Sequence, residues 1–246
     1  MKKPEGKLQE LVTRLQSACG EQLASVVVYG SAAREDFHET FSDVNSLILL
    51  RQLPAASFAP LSDVLRWWSR EEKLTPPLVM TVEELRESAD VFAIELLDIK
   101  RSHRTLFGED IVAGVEVPMN LHRVEVEHEL RTTLLRLRHH FLLASDNAEE
   151  LRAVLAKSVT SVVTLLRHAL IAVGKEPSHE KAQALQQAAE AFGFDAAPLA
   201  TVLELRRHDR QPENLKDLYH AYMTALQTVA HQLEHRAPKR NLQSRS

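Results

Sequence analysis

The sequence predicts an α+β protein, a mixed sheet with packed helices followed by an all-helical bundle. Three observations carry this reading. Roughly the first 110 residues alternate short β-branched runs with helical stretches, and a Gly-Ser turn at Gly30-Ser31 separates two of those runs. From Val117-Pro118 onward, apolar side chains recur only at helical spacing. The expected division is residues 1–116 for the sheet domain, 117–238 for the bundle and 239–246 for a flexible tail.

In chain order, residues 7–24 place Leu8, Leu11, Val12 and Leu15 on one side of a leading amphipathic helix. Val26 to Tyr29 read as a buried strand that stops at Gly30, where the backbone can approach a ligand closely. Ser31 supplies a hydroxyl. Ala32, Ala33 and Arg34 contain no helix breaker, so a helix with its amides facing an anion can begin there. After a polar loop, Ser42 to Asn45 lead into a second strand through Leu50. Asp43 and Asn45, two residues apart, project to the same face of such a strand and offer oxygen ligands to a hard cation.

Leu61 to Glu72 read as a crossover helix. Its adjacent Trp67 and Trp68 predict that one indole is exposed. Pro76-Pro77 end the connection, Leu78 to Thr81 give a third strand, and Val82 to Glu87 a short helix. The apolar run Val91 to Leu97 reads as a further strand in which Glu95 is costly unless paired or bound to metal. Lys100, Arg101 and Arg104 in the following basic segment read as a solvated helix face in preference to a pyrophosphate-neutralising cluster.

At these residues the chain resembles the nucleotidyltransferase superfamily related to DNA polymerase β, in particular its small bacterial members, the aminoglycoside and minimal nucleotidyltransferases. The shared signature is a hydrophobic strand, Gly-Ser, a spacer of about ten residues and Asp-x-Asp. Here it reads Gly30, Ser31, Asp43 and Asn45. The resemblance covers about the first 110 residues and implies a polymerase β-like domain. It also implies transfer of a nucleoside monophosphate, AMP from ATP, to a hydroxyl of a small molecule or protein.

In that family two Mg²⁺ ions about 4 Å apart clamp an in-line displacement, and positioning with charge neutralisation supplies most of the acceleration. Gly30 and Ser31, with Arg34 beside them, would hold the triphosphate. Asp43, Asn45 and Glu95 would ligate Mg²⁺, with Asp43 and Glu95 catalytic and Asp98 in reserve as third carboxylate. Asn45 stands where the family has its second aspartate, which removes one negative charge and weakens metal binding. A competing expectation follows: a catalytically degenerate domain that binds nucleotide or a protein partner.

The second half predicts about five helices, at 121–143, 149–173, 180–192, 196–207 and 213–236, punctuated by Gly174, Pro177-Ser178, Gly193 and Pro212. In aminoglycoside-modifying relatives such a half helps form the acceptor cleft; a homodimer through the bundle is the other expectation. His231-Gln232-Leu233-Glu234-His235 matches a zinc-peptidase pattern but has only a short chain after it for a third ligand, and zinc is discounted. Arg123 and His128 match the Arg-x4-His spacing of helical ribonucleases, a spacing expected by chance among 30 Lys/Arg and 12 His. His139-His140 read as a polar helix face.

The 246 residues, 44% hydrophobic, suffice for a sizeable core. A net charge of −4 argues against a dedicated nucleic-acid binder. The single cysteine, Cys19, rules out an internal disulfide framework and fits a reducing cytoplasm. No apolar run of about 20 residues and no signal-like segment is read from the sequence, so neither membrane insertion nor export is expected.

Overall fold

The computed structural model describes residues 5–33, 44–205 and 214–236. Backbone proximity divides the chain into two compact units, Met1–Pro118 and Met119–Ser246.

The first unit is a four-stranded mixed sheet covered by helices on both faces. Its elements are α1 (Glu5–Cys19), β1 (Leu23–Tyr29), β2 (Asn45–Leu50), α2 (Phe58–Arg66), β3 (Leu78–Thr81), α3 (Val82–Glu87), α4 (Ala93–Arg101) and β4 (His103–Gly108). The strand order is β3-β2-β1-β4, with β2 and β4 antiparallel to β1 and β3 parallel to β2. Alternation along β1 sorts its side chains. Val26 and Val28 join Ile48 and Leu50 under α1 and α2, whereas Val27 joins Leu47 and Leu49 under Leu85 of α3 and Leu96 and Ile99 of α4. Both central strands are covered on both faces, which is why they read as continuous apolar runs.

Three expectations for this unit are corrected. The Val91–Leu97 run is no strand: a 3₁₀ turn at Ser88–Asp90 leads into α4, which carries Glu95 in its first turn. The sheet position beside β1 that such a strand would need is taken by His103–Gly108. That same pairing corrects the helix-face reading for Arg104, which lies in β4 and binds Glu5 at 2.8 Å, whereas Lys100 and Arg101 close α4, Lys100 Nζ donating to the Val115 carbonyl at 2.6 Å. Nor is either tryptophan exposed. The helix after Arg66 widens into a π-helical turn, Trp67–Glu71, whose looser winding turns both indoles inward. Trp68 Nε1 donates to the Thr75 carbonyl at 2.8 Å, so its polar edge is satisfied in the core.

Gly108 is a required glycine. It sits at φ +78°, and a Cβ there would lie 2.0 Å from the Ala24 carbonyl oxygen, where β4 passes close to the start of β1. Beside it, the buried Ser25 hydroxyl reaches the carbonyls of Phe107 and Glu109 at 3.1 and 2.8 Å across an irregular stretch of the ladder.

The second unit is built from α5 (Met119–Ala144), α6 (Ala148–Ala172), α7 (Lys181–Phe192), α8 (Ala197–Leu205) and α9 (Leu215–His235). The helical periodicity predicts each of these, with ends within a few residues. Asn147 caps α6 by accepting from the Glu150 amide, and Asn214 caps α9 from the Asp217 amide. Helix α6 runs against α5, α7, α8 and α9, burying Leu155, Val159, Val162, Leu166 and Leu170. By length and composition α6 is also apolar enough to cross a membrane, and half of its most apolar window is buried in the bundle, as in the core helix of a helical bundle. Two polar pairs lie inside: His122 Nε2 meets His168 Nδ1 at 2.9 Å, and Tyr219 donates to the Leu137 carbonyl at 3.0 Å. Residues 239–246, expected to be a flexible tail, lie outside the described residues, as does Pro212.

Candidate active site

Gly30 and Asn45, two of the residues the sequence singles out, lie at one end of the sheet. β1 stops at Tyr29 because Gly30 takes φ +72°, and the chain turns through a 3₁₀ segment, Gly30–Ala33, rather than an α-helix within the described residues. This turn is tied to the end of α4. The Gly30 amide donates to the Ser102 carbonyl at 2.8 Å, and the Ser102 hydroxyl donates back to the Gly30 carbonyl at 3.1 Å. Gly30 therefore contributes shape and space, its own amide being already engaged, and any further backbone donors to an anion come from the residues after it.

Asn45 opens β2 directly opposite Tyr29. Its side-chain amide lies against Gly30, with Nδ2 3.5 Å from where a Cβ on that glycine would stand. The structure thus brings together Gly30 and Asn45, the outer two members of the sequence motif. Asp43, Arg34 and the Ser31 side chain lie outside the described residues.

Glu95 reaches the same face from α4. Ala93, Ile94, Leu96 and Ile99 of that helix are buried, which leaves the Glu95 carboxylate exposed. It is close enough to act on Tyr29, whose phenol pKa is raised first by burial and then by the Glu95 charge. Glu95 is therefore carried by a helix rather than by a strand. The four described strands contain no Asp or Glu at all, and among the described residues no three His, Cys, Asp or Glu side chains are grouped to hold a metal. Asp98, one turn further along α4, is half-buried.

Sequence reasoning passed over Tyr29 and His103, which flank this end of the sheet in register: His103 on β4 pairs with Tyr29, which pairs with Asn45. The signal for Tyr29 was its place immediately before the glycine. For His103 no local signal existed, since its position depends on a strand pairing some 70 residues away in sequence. His103 is anchored from both ring nitrogens, to the Lys100 carbonyl at 3.0 Å and the Asp110 carboxylate at 2.9 Å. The discounted motifs are held by ordinary helix contacts: His235 Nδ1 faces its own helix at the His231 carbonyl, Glu234 binds Arg131, and Arg123 binds Glu127 and the Leu233 carbonyl.

A mixed sheet with a glycine turn at one end and helices on both faces, followed by a helical region, matches the fold of a solved adenyltransferase. Among solved structures the chain is similar to spectinomycin adenyltransferase AAD(9) from Enterococcus faecialis, solved with ATP and spectinomycin. The TM-score is 0.59 at 15% sequence identity, over 94% of this chain and 99% of that one. The likeness runs through both units, and at this identity it establishes the fold alone. No protein-family profile and no curated protein matches the sequence.

Proposed function

We propose that the protein binds a nucleoside triphosphate, ATP in the first instance, at the Gly30 turn and transfers its nucleoside monophosphate to a hydroxyl of a small molecule. The observation that carries this reading is the placement of Asn45 against Gly30 at the sheet end, in a fold shared over 94% of the chain with a protein solved with ATP. Gly30 would allow close approach, Ser31 and Arg34 would contact phosphate oxygens, and Glu95 would accept the acceptor's proton.

The donor set suits one hard cation. Mg²⁺ binds through one or two carboxylates and completes its shell with water and substrate phosphates, so Asp43 and the Asn45 carbonyl would hold one ion, which would neutralise triphosphate charge. A second reading, nucleotide binding without transfer, is favoured by one specific observation: Glu95 stands on a helix, and no described strand offers a carboxylate in its place.

Calorimetric titration of ATP with Mg²⁺ into wild type and Asp43→Ala, followed by a labelled-AMP transfer assay with spectinomycin first among hydroxyl acceptors, separates the readings. Metal-dependent binding lost in Asp43→Ala, with transfer lost in Glu95→Gln, supports the enzyme. Binding without transfer to any acceptor supports the binding module, and no binding of any nucleotide overturns both.

A further inference from the structure

The imidazole of His103, the first residue of β4, meets an oxygen at each ring nitrogen. Nδ1 lies 3.0 Å from the Lys100 carbonyl and Nε2 lies 2.9 Å from the Asp110 carboxylate. A carbonyl oxygen only accepts hydrogen bonds, and so does an ionised carboxylate. Burial pushes the Asp110 carboxyl up, but its hydrogen bonds, one of them from the Ala113 amide to the same oxygen at 3.1 Å, hold it below the usual carboxylate range, so it is ionised at neutral pH. A neutral imidazole has one N–H and one lone pair; it satisfies one of the two oxygens and sets its lone pair against the other. Both contacts together therefore require both ring protons.

The surroundings suit a cation. The Lys100 carbonyl is among the last four of α4, which have no amide partner within the helix and form its negative end. The Lys100 ammonium is engaged with the Val115 carbonyl, and Tyr29 is the partner of His103 across the strand pair. The His103 side chain is only 12% exposed, so water competes little for either bond.

The ring holds the junction that carries the Gly30 turn. Ser102 directly precedes it. The Ser102 amide closes α4 on the Asp98 and Ile99 carbonyls, both at 3.2 Å, while the Ser102 carbonyl and hydroxyl engage the Gly30 amide and carbonyl at 2.8 and 3.1 Å. Ser102 is thus fixed on the α4 side by its own amide and on the β4 side by the doubly tethered ring, and both backbone groups of Gly30 rest on it.

We propose that His103 is held as the imidazolium and acts as a positioning residue, fixing Ser102 and through it the Gly30 turn. The consequence for nucleotide affinity rests on the function proposed above; the ring's protonation and the fixing of Gly30 do not. The test uses the full-length protein at neutral pH. Proton–nitrogen correlation spectra of the imidazole rings are expected to show a histidine protonated at both nitrogens, whose signal disappears in His103→Gln. That variant is expected to exchange the Gly30 amide about fivefold faster or more, and to bind ATP with Mg²⁺ about tenfold more weakly. Asp110→Ala, which removes one tether from a half-exposed position, is expected to leave His103 with one ring proton and to speed Gly30 exchange likewise, and it decides the matter if His103→Gln misfolds. A wild-type His103 with a single ring proton overturns the assignment. Gly30 exchange unaltered in both variants overturns the positioning role, and faster exchange with ATP affinity unchanged overturns its link to the nucleotide. If wild type binds no nucleotide, the proposed function fails, while the ring signal and the Gly30 amide still decide the role of His103.

Discussion

The two units hold their shapes by different means. The first is fixed by backbone pairings between residues far apart in sequence: β1 lies between β2 and β4, and Ser25 reaches carbonyls more than 80 residues away. The second is fixed by side chains at helical spacing, with α6 as the common wall for four other helices. The difference teaches where each is vulnerable. A backbone intrusion should damage the sheet unit, and a cavity should damage the bundle, because long-range pairing tolerates little displacement while a packed core depends on filled volume.

The largest expected effect is Gly108→Ala. The added methyl meets the Ala24 carbonyl at a left-handed backbone position, and we expect a loss of about 3–5 kcal/mol. Hydrogen exchange should show the loss concentrated in β1, β2 and β4; equal loss of protection in α6 and α9 would mean that the units unfold as one cooperative body. Next in size, Leu166→Ala, fully buried in α6, should cost about 2–5 kcal/mol and lower protection in α5 to α9 first. Urea unfolding followed by tryptophan fluorescence should register the first variant more directly, since Trp67 and Trp68 both belong to the sheet unit.

A smaller effect concerns the anchor of β4. Partial burial tends to raise the Asp110 pKa, but hydrogen bonds from His103 and from the Ala113 amide, with the His103 charge, hold it below the usual carboxylate range. A carboxyl whose pKa is depressed on folding stabilises the protein above its unfolded value, near about 3.9, and loses that contribution as pH falls through the folded value. Asp110 is about half exposed, so solvent screening keeps the contribution below about 1 kcal/mol. The stability gap between wild type and Asp110→Asn should be present at neutral pH and close in acid; a gap constant down to acid pH would remove the ion pair from the account.

The smallest effect tests the relocation of Glu95. Burial raises the Tyr29 phenol, and the Glu95 charge adds to it. Spectrophotometric titration of Glu95→Gln should therefore show one tyrosine ionising at lower pH than in wild type. An unshifted titration would place Glu95 away from the sheet end and withdraw it from the candidate site.

How much of this was legible in the sequence differs between the units for the same reason. The bundle's helices are each specified by a 3.6-residue repeat within the element itself, so periodicity located α5 to α9 closely. In the sheet unit the first three strands were readable because each is a short apolar run between breakers. Val91–Leu97 was misassigned because an apolar run of seven residues is compatible with either a strand or a buried helix. His103–Gly108 looked polar because β4 lies at the sheet edge, where its side chains are only partly buried.

The sequence by itself determined the first three strands, the helices of the bundle, the Gly30 turn and the two-residue spacing of Asp43 and Asn45, all of which rest on local backbone preference and side-chain chemistry. Only the tertiary structure decided that Glu95 rides on a helix, that His103 and Tyr29 stand in line with Asn45, and that both tryptophans are interior. Those outcomes depend on which segment occupies the position beside β1, and that is a competition between distant parts of the chain for one row of backbone hydrogen bonds.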